Sequence, residues 1–456
     1  MSRRWRYLAA ALLLLLALPL PGCGRENGSA PSEKPEESRE ETPMQEESPA
    51  VSDPAKSEAA DPETIPEGYY FPAEPVRIPA AGEETAWELR FSPSERTVNF
   101  VELPEETTAA SVTVRKDGET LYQSFGSDSR LCRFDTVRAD KLTVLLEGDS
   151  SGGSPKAGFL PGVAETCAYL PASANPGELE AYAPSFQKLR RVVVITGLCW
   201  DETGEVVEID GNYPALMQAL RALRDRCGFE LFATLYPARS LIRAGTAGEI
   251  TAQNREALTA SILAHAAAYA LDGIDLDWET PADESEWRAC SALIAGLGPA
   301  LRKKGLSLSA ALYPESLGKL SAAARPALDR LHLMTYDQFD AQGRHATFSG
   351  MADAVQRALE AGYAPEQISA GLPAYGRPLD ASAAWPLYRE QPLPLTENQS
   401  GDSYFNNPQM VRDKAAYCSL HRLGGVFFFP LTGDLPADDP DSLLGAVDER
   451  ENGDSR

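Results

Sequence analysis

The amino-acid sequence predicts an α/β protein: a (β/α)8 TIM barrel preceded by a small β-sandwich-like domain and a disordered tether. Three observations carry that expectation. Over residues 158–445, eight apolar runs of strand length alternate with helix-length amphipathic segments, the mark of repeated βαβ units. Residues 67–150 show short alternating strands separated by turn signals instead. Residues 24–66 are rich in Glu, Ser and Pro and contain almost no large apolar side chain. Such a stretch cannot bury enough surface to offset the entropy lost on ordering.

Along the chain, the first feature concerns the compartment. Arg3, Arg4 and Arg6 form a basic region, and Leu8 to Leu20 is an apolar run of signal-peptide length. A membrane-spanning helix needs ~20 apolar residues, so this run is too short to cross comfortably. Leu20-Pro21-Gly22-Cys23 resembles the bacterial lipobox, although Pro21 is unusual at its position. The resemblance implies a lipoprotein signal peptide over residues 1–23, lipidation at Cys23, and an extracytoplasmic protein tethered to the bacterial cell membrane. Plain cleavage to a free secreted protein is the alternative.

Composition narrows the partners. A formal net charge of -25 over 456 residues argues against nucleic acid, whose phosphates require Lys and Arg. With Cys23 set aside, Cys132, Cys167, Cys199, Cys227, Cys290 and Cys418 are scattered without metal-type CxxC spacing. Export would permit disulfides, but the six read as small buried residues. The four histidines, His265, His332, His345 and His421, have no HExxH or other ligand spacing. The expectation is therefore a monomer with no metal and no cofactor.

In the β-rich region the strand candidates include Trp87–Phe91, Ser111–Val114 and Leu142–Leu145, and Lys116-Asp117-Gly118-Glu119 reads as a hairpin turn. A spacer or packing module is the plainer reading of this domain, sugar binding the sharper one. Ser150 to Lys156 reads as a linker. The barrel strands are expected at Glu165–Leu170, Arg191–Leu198, Phe229–Tyr236, Gly273–Trp278, Leu306–Leu312, Arg330–Tyr336, Ile368–Pro373 and Gly424–Pro430. Helical patterns separate most of them, clearest at Pro214–Leu220 and Ala257–Leu263. A doubly wound open sheet competes, but no Gly-rich phosphate loop follows the first strand.

The fourth strand carries the chemistry. In Asp272-Gly273-Ile274-Asp275-Leu276-Asp277-Trp278-Glu279, side chains alternate, so Asp275, Asp277 and Glu279 share one face and Ile274, Leu276 and Trp278 the other. The apolar set belongs under the helices, which sends the acids into the barrel and up to its mouth, where barrel enzymes place their active sites. Three carboxyls so close repel one another and resist desolvation, so a shared proton or a raised pKa is expected, and a raised pKa at Glu279 suits a general acid. A carboxylate metal site and a solvated edge strand are the competing readings of the pattern alone. Asp272 is out of phase and is assigned a structural role at the strand entrance.

That octapeptide matches the DxxDxDxE signature, and the chain is identified as a member of the family 18 glycoside hydrolases, the chitinase class. Two further stretches agree in order. His332-Leu333-Met334-Thr335-Tyr336-Asp337 resembles the family's M-x-Y-D, and Gly371-Leu372-Pro373-Ala374-Tyr375-Gly376-Arg377 resembles its G-x-P-x-Y-G-R. The similarity covers roughly Val163 to Asp434. It implies cleavage of β-1,4-linked N-acetylglucosamine glycans, such as chitooligosaccharide, peptidoglycan or an N-glycan core, by a substrate-assisted retaining mechanism. Under that resemblance Glu279 is the acid, Asp277 orients the acetamido N–H, Asp275 shares a proton beneath it, and Tyr336 donates to the acetamido oxygen. Asp337, Met334, Tyr375, Arg377, Phe429 and Trp385 become candidate substrate contacts.

The chain also departs from the family pattern. Ala233-Thr234-Leu235-Tyr236 stands where S-x-G-G usually ends the third strand, and Phe429 stands where a tryptophan usually ends the eighth. Trp385 and Tyr388, after the seventh strand, are candidate stacking platforms. The segment from Arg377 to Asn407 is short for the insertion many chitinases carry there, which suggests an open cleft. A catalytically weak or inactive sugar-binding surface lipoprotein is the alternative function.

Overall fold

The computed structural model describes residues 69–447, apart from 80–83, 92–94, 105–106, 126–129, 150–152, 161, 381 and 396. Cys23, the signal segment and the tether to residue 66 lie outside the described residues.

Two antiparallel sheets form the β-rich region. Strands β1 (Ala73–Ile78), β2 (Glu84–Phe91), β3 (Arg96–Glu102), β4 (Thr108–Lys116), β5 (Glu119–Phe125), β6 (Leu131–Ala139), β7 (Lys141–Asp149) and β8 (Lys156–Gly158) are ordered β1-β2-β7-β4-β5 and β6-β3-β8. Alternation explains the pairing of the sheets: Leu142, Val144 and Leu146 turn inward to meet Leu89, Val98, Val112 and Val114. The β4–β5 turn has Asp117 at φ 50° and Gly118 at φ 87°, the two positive values a type I′ hairpin requires. Residues 156–158, at the end of the expected linker, pair with β3 through Phe100, Val101 and Glu102.

This region packs on the barrel. Phe100, Leu131 and Leu160 bury against Ala416 of the helix Pro408–Leu420, and the Arg412 guanidinium donates to Asp135 at 2.8 Å. Asn99, fully buried, donates to the Leu160 carbonyl and accepts its N–H at 2.8 and 2.9 Å, which closes the joint.

Eight parallel strands close the barrel: β9 (Thr166–Pro171), β10 (Arg191–Ile195), β13 (Glu230–Pro237), β14 (Gly273–Leu276), β15 (Ser307–Leu312), β16 (Arg330–Leu333), β17 (Ile368–Pro373) and β21 (Gly425–Phe429). Closure comes from pairing of β10 with β13 and of β21 with β9. A small hairpin, β11 (Leu198–Trp200) and β12 (Val206–Glu208), sits beyond the second strand, and β18 (Arg377–Pro378), β19 (Gln399–Ser400) and β20 (Ser403–Tyr404) form a short sheet after the seventh.

The helix Tyr213–Cys227 shows why the outer layer forms. It starts with Pro214 in its first turn and buries Tyr213, Leu216, Met217, Leu220 and Leu223, spaced as one helical face. After β15 the chain instead makes two 3-10 turns, Pro314–Lys319 and Arg325–Ala327, each opening with a proline in its first turn. Three strands end earlier than the apolar runs suggest, at Ile195, Leu276 and Leu333. The run Arg191–Leu198 breaks where Thr196 takes φ 66°. In the fourth and sixth strands the ladder stops just before Asp277 and Tyr336, so the site residues stand above the sheet on irregular backbone.

Candidate active site

The alternation expected of the acidic strand is present: Ile274, Leu276 and Trp278 pack into the outer core under the helices, which leaves Asp275, Asp277 and Glu279 to the lumen. Asp272 keeps a structural place. Its carboxylate accepts from the Leu231 N–H at 2.8 Å and from Arg224 at 3.2 Å, which ties the fourth strand to the third.

Asp277 and Glu279 share a hydrogen bond. Burial pushes the Glu279 carboxyl up, the bond from Asp277 pulls it down, the Asp337 charge pushes it up, and the net result is about 7. Asp277 is raised well above the carboxylate range by burial, then by the charges of Glu279 and Asp275. The pair therefore holds a proton near neutral pH, the state a general acid needs.

Asp275 lies one strand repeat below with no solvent exposure, and accepts from Ser309 Oγ at 2.5 Å and from Tyr169 Oη at 2.9 Å. The strand pattern did not single out Tyr169, Ser309 or His332. All three are polar groups at inward positions of apolar strands, and that phase could have found them.

Tyr336 forms the aromatic wall. Its ring stacks on Phe429 with centroids 5.9 Å apart and planes 20° apart, and burial raises its hydroxyl pKa well above the usual value. Gly371 makes room: a Cβ there would come within 2.7 Å of the Tyr336 ring, which gives the first glycine of the G-x-P-x-Y-G-R stretch a packing reason. Trp385 lies parallel to Phe429 at 6.3 Å and 7°, and edge-on to Tyr375 at 5.1 Å. The loop after the seventh strand thus enlarges the aromatic surface where the eighth strand carries only a phenyl ring. Met334 is buried among these rings. Tyr388 is instead fully buried, with its hydroxyl on the Asp441 carbonyl at 2.9 Å, so it is a core residue and no platform.

Asp337 has φ 59°, a strained value for a residue with a side chain. Tyr375 donates to its Oδ2 at 2.9 Å, and Arg377 Nε and His345 Nδ1 lie 3.6 and 3.8 Å from its Oδ1. Tyr375 and Arg377 therefore hold Asp337 in place, whatever else they touch. Among the described residues no group of three or more His, Cys, Asp or Glu side chains is arranged to hold a metal ion, and all six described cysteines are free.

Barrel closure and a carboxyl pair at the strand ends define a (β/α)8-barrel protein with an acidic, aromatic-lined mouth. Residues 246–434 match the family model described as Glycosyl hydrolases family 18. Chitinase 1 of Aphanocladium album is 30% identical over 153 residues, which are 28% of this chain. The chain spans about a third of the length of that curated relative, 36%. The chitinase ChiB of Flavobacterium johnsoniae shares the fold at TM-score 0.54 and 19% identity, over 63% of this chain and 93% of that one. Human YKL-39, described as a pseudo-chitinase with retained chitooligosaccharide binding, shares it at TM-score 0.50 and 15% identity, over 62% and 98%.

Proposed function

We propose that this protein hydrolyses β-1,4-linked N-acetylglucosamine glycans with retention of configuration, using the substrate's acetamido group as nucleophile. The hydrogen-bonded Asp277–Glu279 pair, with its proton held near neutral pH, carries this reading.

Glu279 gives its proton to the glycosidic oxygen as the C1–O bond breaks, and the acetamido carbonyl oxygen bonds to C1 as an oxazolinium ion. Asp277 accepts the acetamido N–H, and Tyr336 donates its hydroxyl to the acetamido oxygen. Glu279, now a carboxylate, takes a proton from water, which adds to C1 and reopens the ring. Asp337, Met334, Tyr375, Arg377, Phe429 and Trp385 line the cleaved subsite. Tethering through a lipid on Cys23 would hold this activity at the outer face of a bacterial membrane.

A binding-only role is the alternative, given that a pseudo-chitinase shares the fold. Glu279, Asp277, Tyr336 and Asp337, all present in this chain, favour catalysis. Release of a fluorophore from an N-acetylglucosaminyl oligosaccharide separates the two. The expected result is turnover with the β-anomer formed first. Saturable binding without turnover would establish the lectin instead. Product analysis on chitin oligomers, peptidoglycan and high-mannose glycans then names the polymer.

A further inference from the structure

The third barrel strand ends beside the carboxyl pair in a way that the hydrolytic scheme leaves without a task. On β13, Ala233 and Leu235 pack outward into the core under the helices, Phe232 lies in the lumen, and Thr234 is fully buried. Alternation gives Tyr236 the same inward phase one step higher, at the mouth. Thr234 is paired with Asp275 across the ladder, and the Asp277 N–H donates to the Leu235 carbonyl at 3.0 Å. Tyr236 therefore stands beside Asp277, at a strand end where the family pattern has glycine. Its ring is partly buried, and burial pushes its hydroxyl up to about 12 against the pull of Arg239.

Arg239 opens the short helix Arg239–Ala244, which turns Leu241 to the core. Its exposed side chain hydrogen-bonds Tyr236. A guanidinium only donates, so the Tyr236 oxygen accepts and its O–H is left to donate onward. Arg243, four residues on, is exposed on the same helix face. Elsewhere at the mouth, Arg344 holds Asp340 at 2.7 Å and Arg377 faces Asp337 at 3.6 Å, but Arg239 and Arg243 have no ion-pair partner among the described residues. Like charges at that spacing destabilise a helix, and a bound anion relieves them. A neutral N-acetylglucosamine chain offers hydroxyls and amides, with nothing for a guanidinium to neutralise. A carboxylate does, and its two oxygens match the guanidinium fork.

We propose that Arg239, oriented by Tyr236 and supported by Arg243, reads a carboxylate borne beside the cleaved sugar, so that the preferred substrate is a carboxylated N-acetylglucosamine glycan. This rests on the hydrolase reading and narrows it, because peptidoglycan carries such groups and chitin does not. The carboxylate has two sources there: the lactyl group of alternate sugars once the peptide is removed, and the acidic residues of peptide stems still attached.

Four substrates separate these: glycan strands stripped of peptide, the same strands methyl-esterified, strands with stems intact, and a chitooligosaccharide of equal length. The wild type should turn over stripped strands with kcat/KM about tenfold above the esterified strands and the chitooligosaccharide, most of it through KM. In Arg239→Gln that preference should vanish, Arg239→Lys should restore part of it, and Tyr236→Phe should weaken it by misaligning the guanidinium. Rising salt should erode the preference in the wild type. Arg239 is exposed, so its variants should keep the wild-type Tm. A preference seen only with stems intact, and lost in Arg239→Gln, would uphold the reader and assign the carboxylate to the peptide. Hydrolysis with equal kcat/KM on all four substrates, or a preference untouched by Arg239→Gln, would overturn the proposal and leave the hydrolase reading standing. Where nothing is hydrolysed, calorimetry reads the same preference as a ratio of Kd values. A carboxylate preference lost in Arg239→Gln would then keep the reader and remove the hydrolase reading.

Discussion

The two ends of the barrel bury carboxyls in opposite ways. At the floor, Glu165 lies between Arg191, at 3.2 Å, and Arg330, while Arg191 also reaches Glu230 at 3.0 Å. Burial pushes the Glu165 carboxyl up, but the two guanidinium charges outweigh it and hold the group below its ordinary range. At the mouth, Asp277 and Glu279 face each other, Asp275 and Asp337, with no arginine between the pair, and both are pushed up. The same residue type is thus a fixed charge at one end and a proton carrier at the other. Stability is concentrated where charges are matched, and chemistry where they are not.

Glu279→Gln tests that contrast hardest. Loss of the general acid should lower kcat/KM by about 10²–10⁴-fold or more on a fluorogenic N-acetylglucosaminide, with no loss of Tm. Activity surviving that change would break the assignment of the mouth. Arg191→Met is the converse at the floor. It leaves buried carboxyls uncompensated and should cost about 3–5 kcal/mol in denaturant unfolding, while the folded fraction keeps its kcat.

The pH responses should also run in opposite directions. As the proposed general acid Glu279 would work protonated, so kcat/KM should fall as pH rises through about 7. Glu165 has a folded pKa below its unfolded value, so its contribution to stability is present above the unfolded carboxyl range. It is lost as pH falls through the folded value, and thermal melts against pH should show the loss on the acid side only. Glu279, whose folded pKa is raised, should itself cost stability as pH rises from the unfolded carboxyl range to about 7, so Glu279→Gln should flatten that neutral-side loss and leave the acid-side loss unchanged. The smallest effect is expected at the aromatic wall. Phe429→Ala should weaken substrate binding by about 1 kcal/mol, seen as a KM rise of roughly fivefold, and Phe429→Trp should reverse it.

Much of this was legible in the chain. The positions of all eight barrel strands follow from apolar runs, because burial on both faces demands continuous Val, Leu, Ile and Ala. The inward phase of Asp275, Asp277 and Glu279 follows from a period of two, and the type I′ turn at Asp117-Gly118 from its residues alone. Tyr388, a platform candidate by its loop position, is a core residue, because position in a loop says nothing about which way a ring turns.

Sequence by itself determined the order of elements and the phase of the acids, since both depend on local alternation. Only the tertiary structure decided who meets them. Tyr169, Ser309 and His332 reach Asp275 across 106, 34 and 57 residues of chain, and Trp385 reaches Phe429 from another loop. Such contacts are set by barrel closure and strand register, which place residues side by side irrespective of their separation along the chain. The same closure removes water from the carboxyl pair, and that desolvation turns two ordinary acids into a proton-holding site.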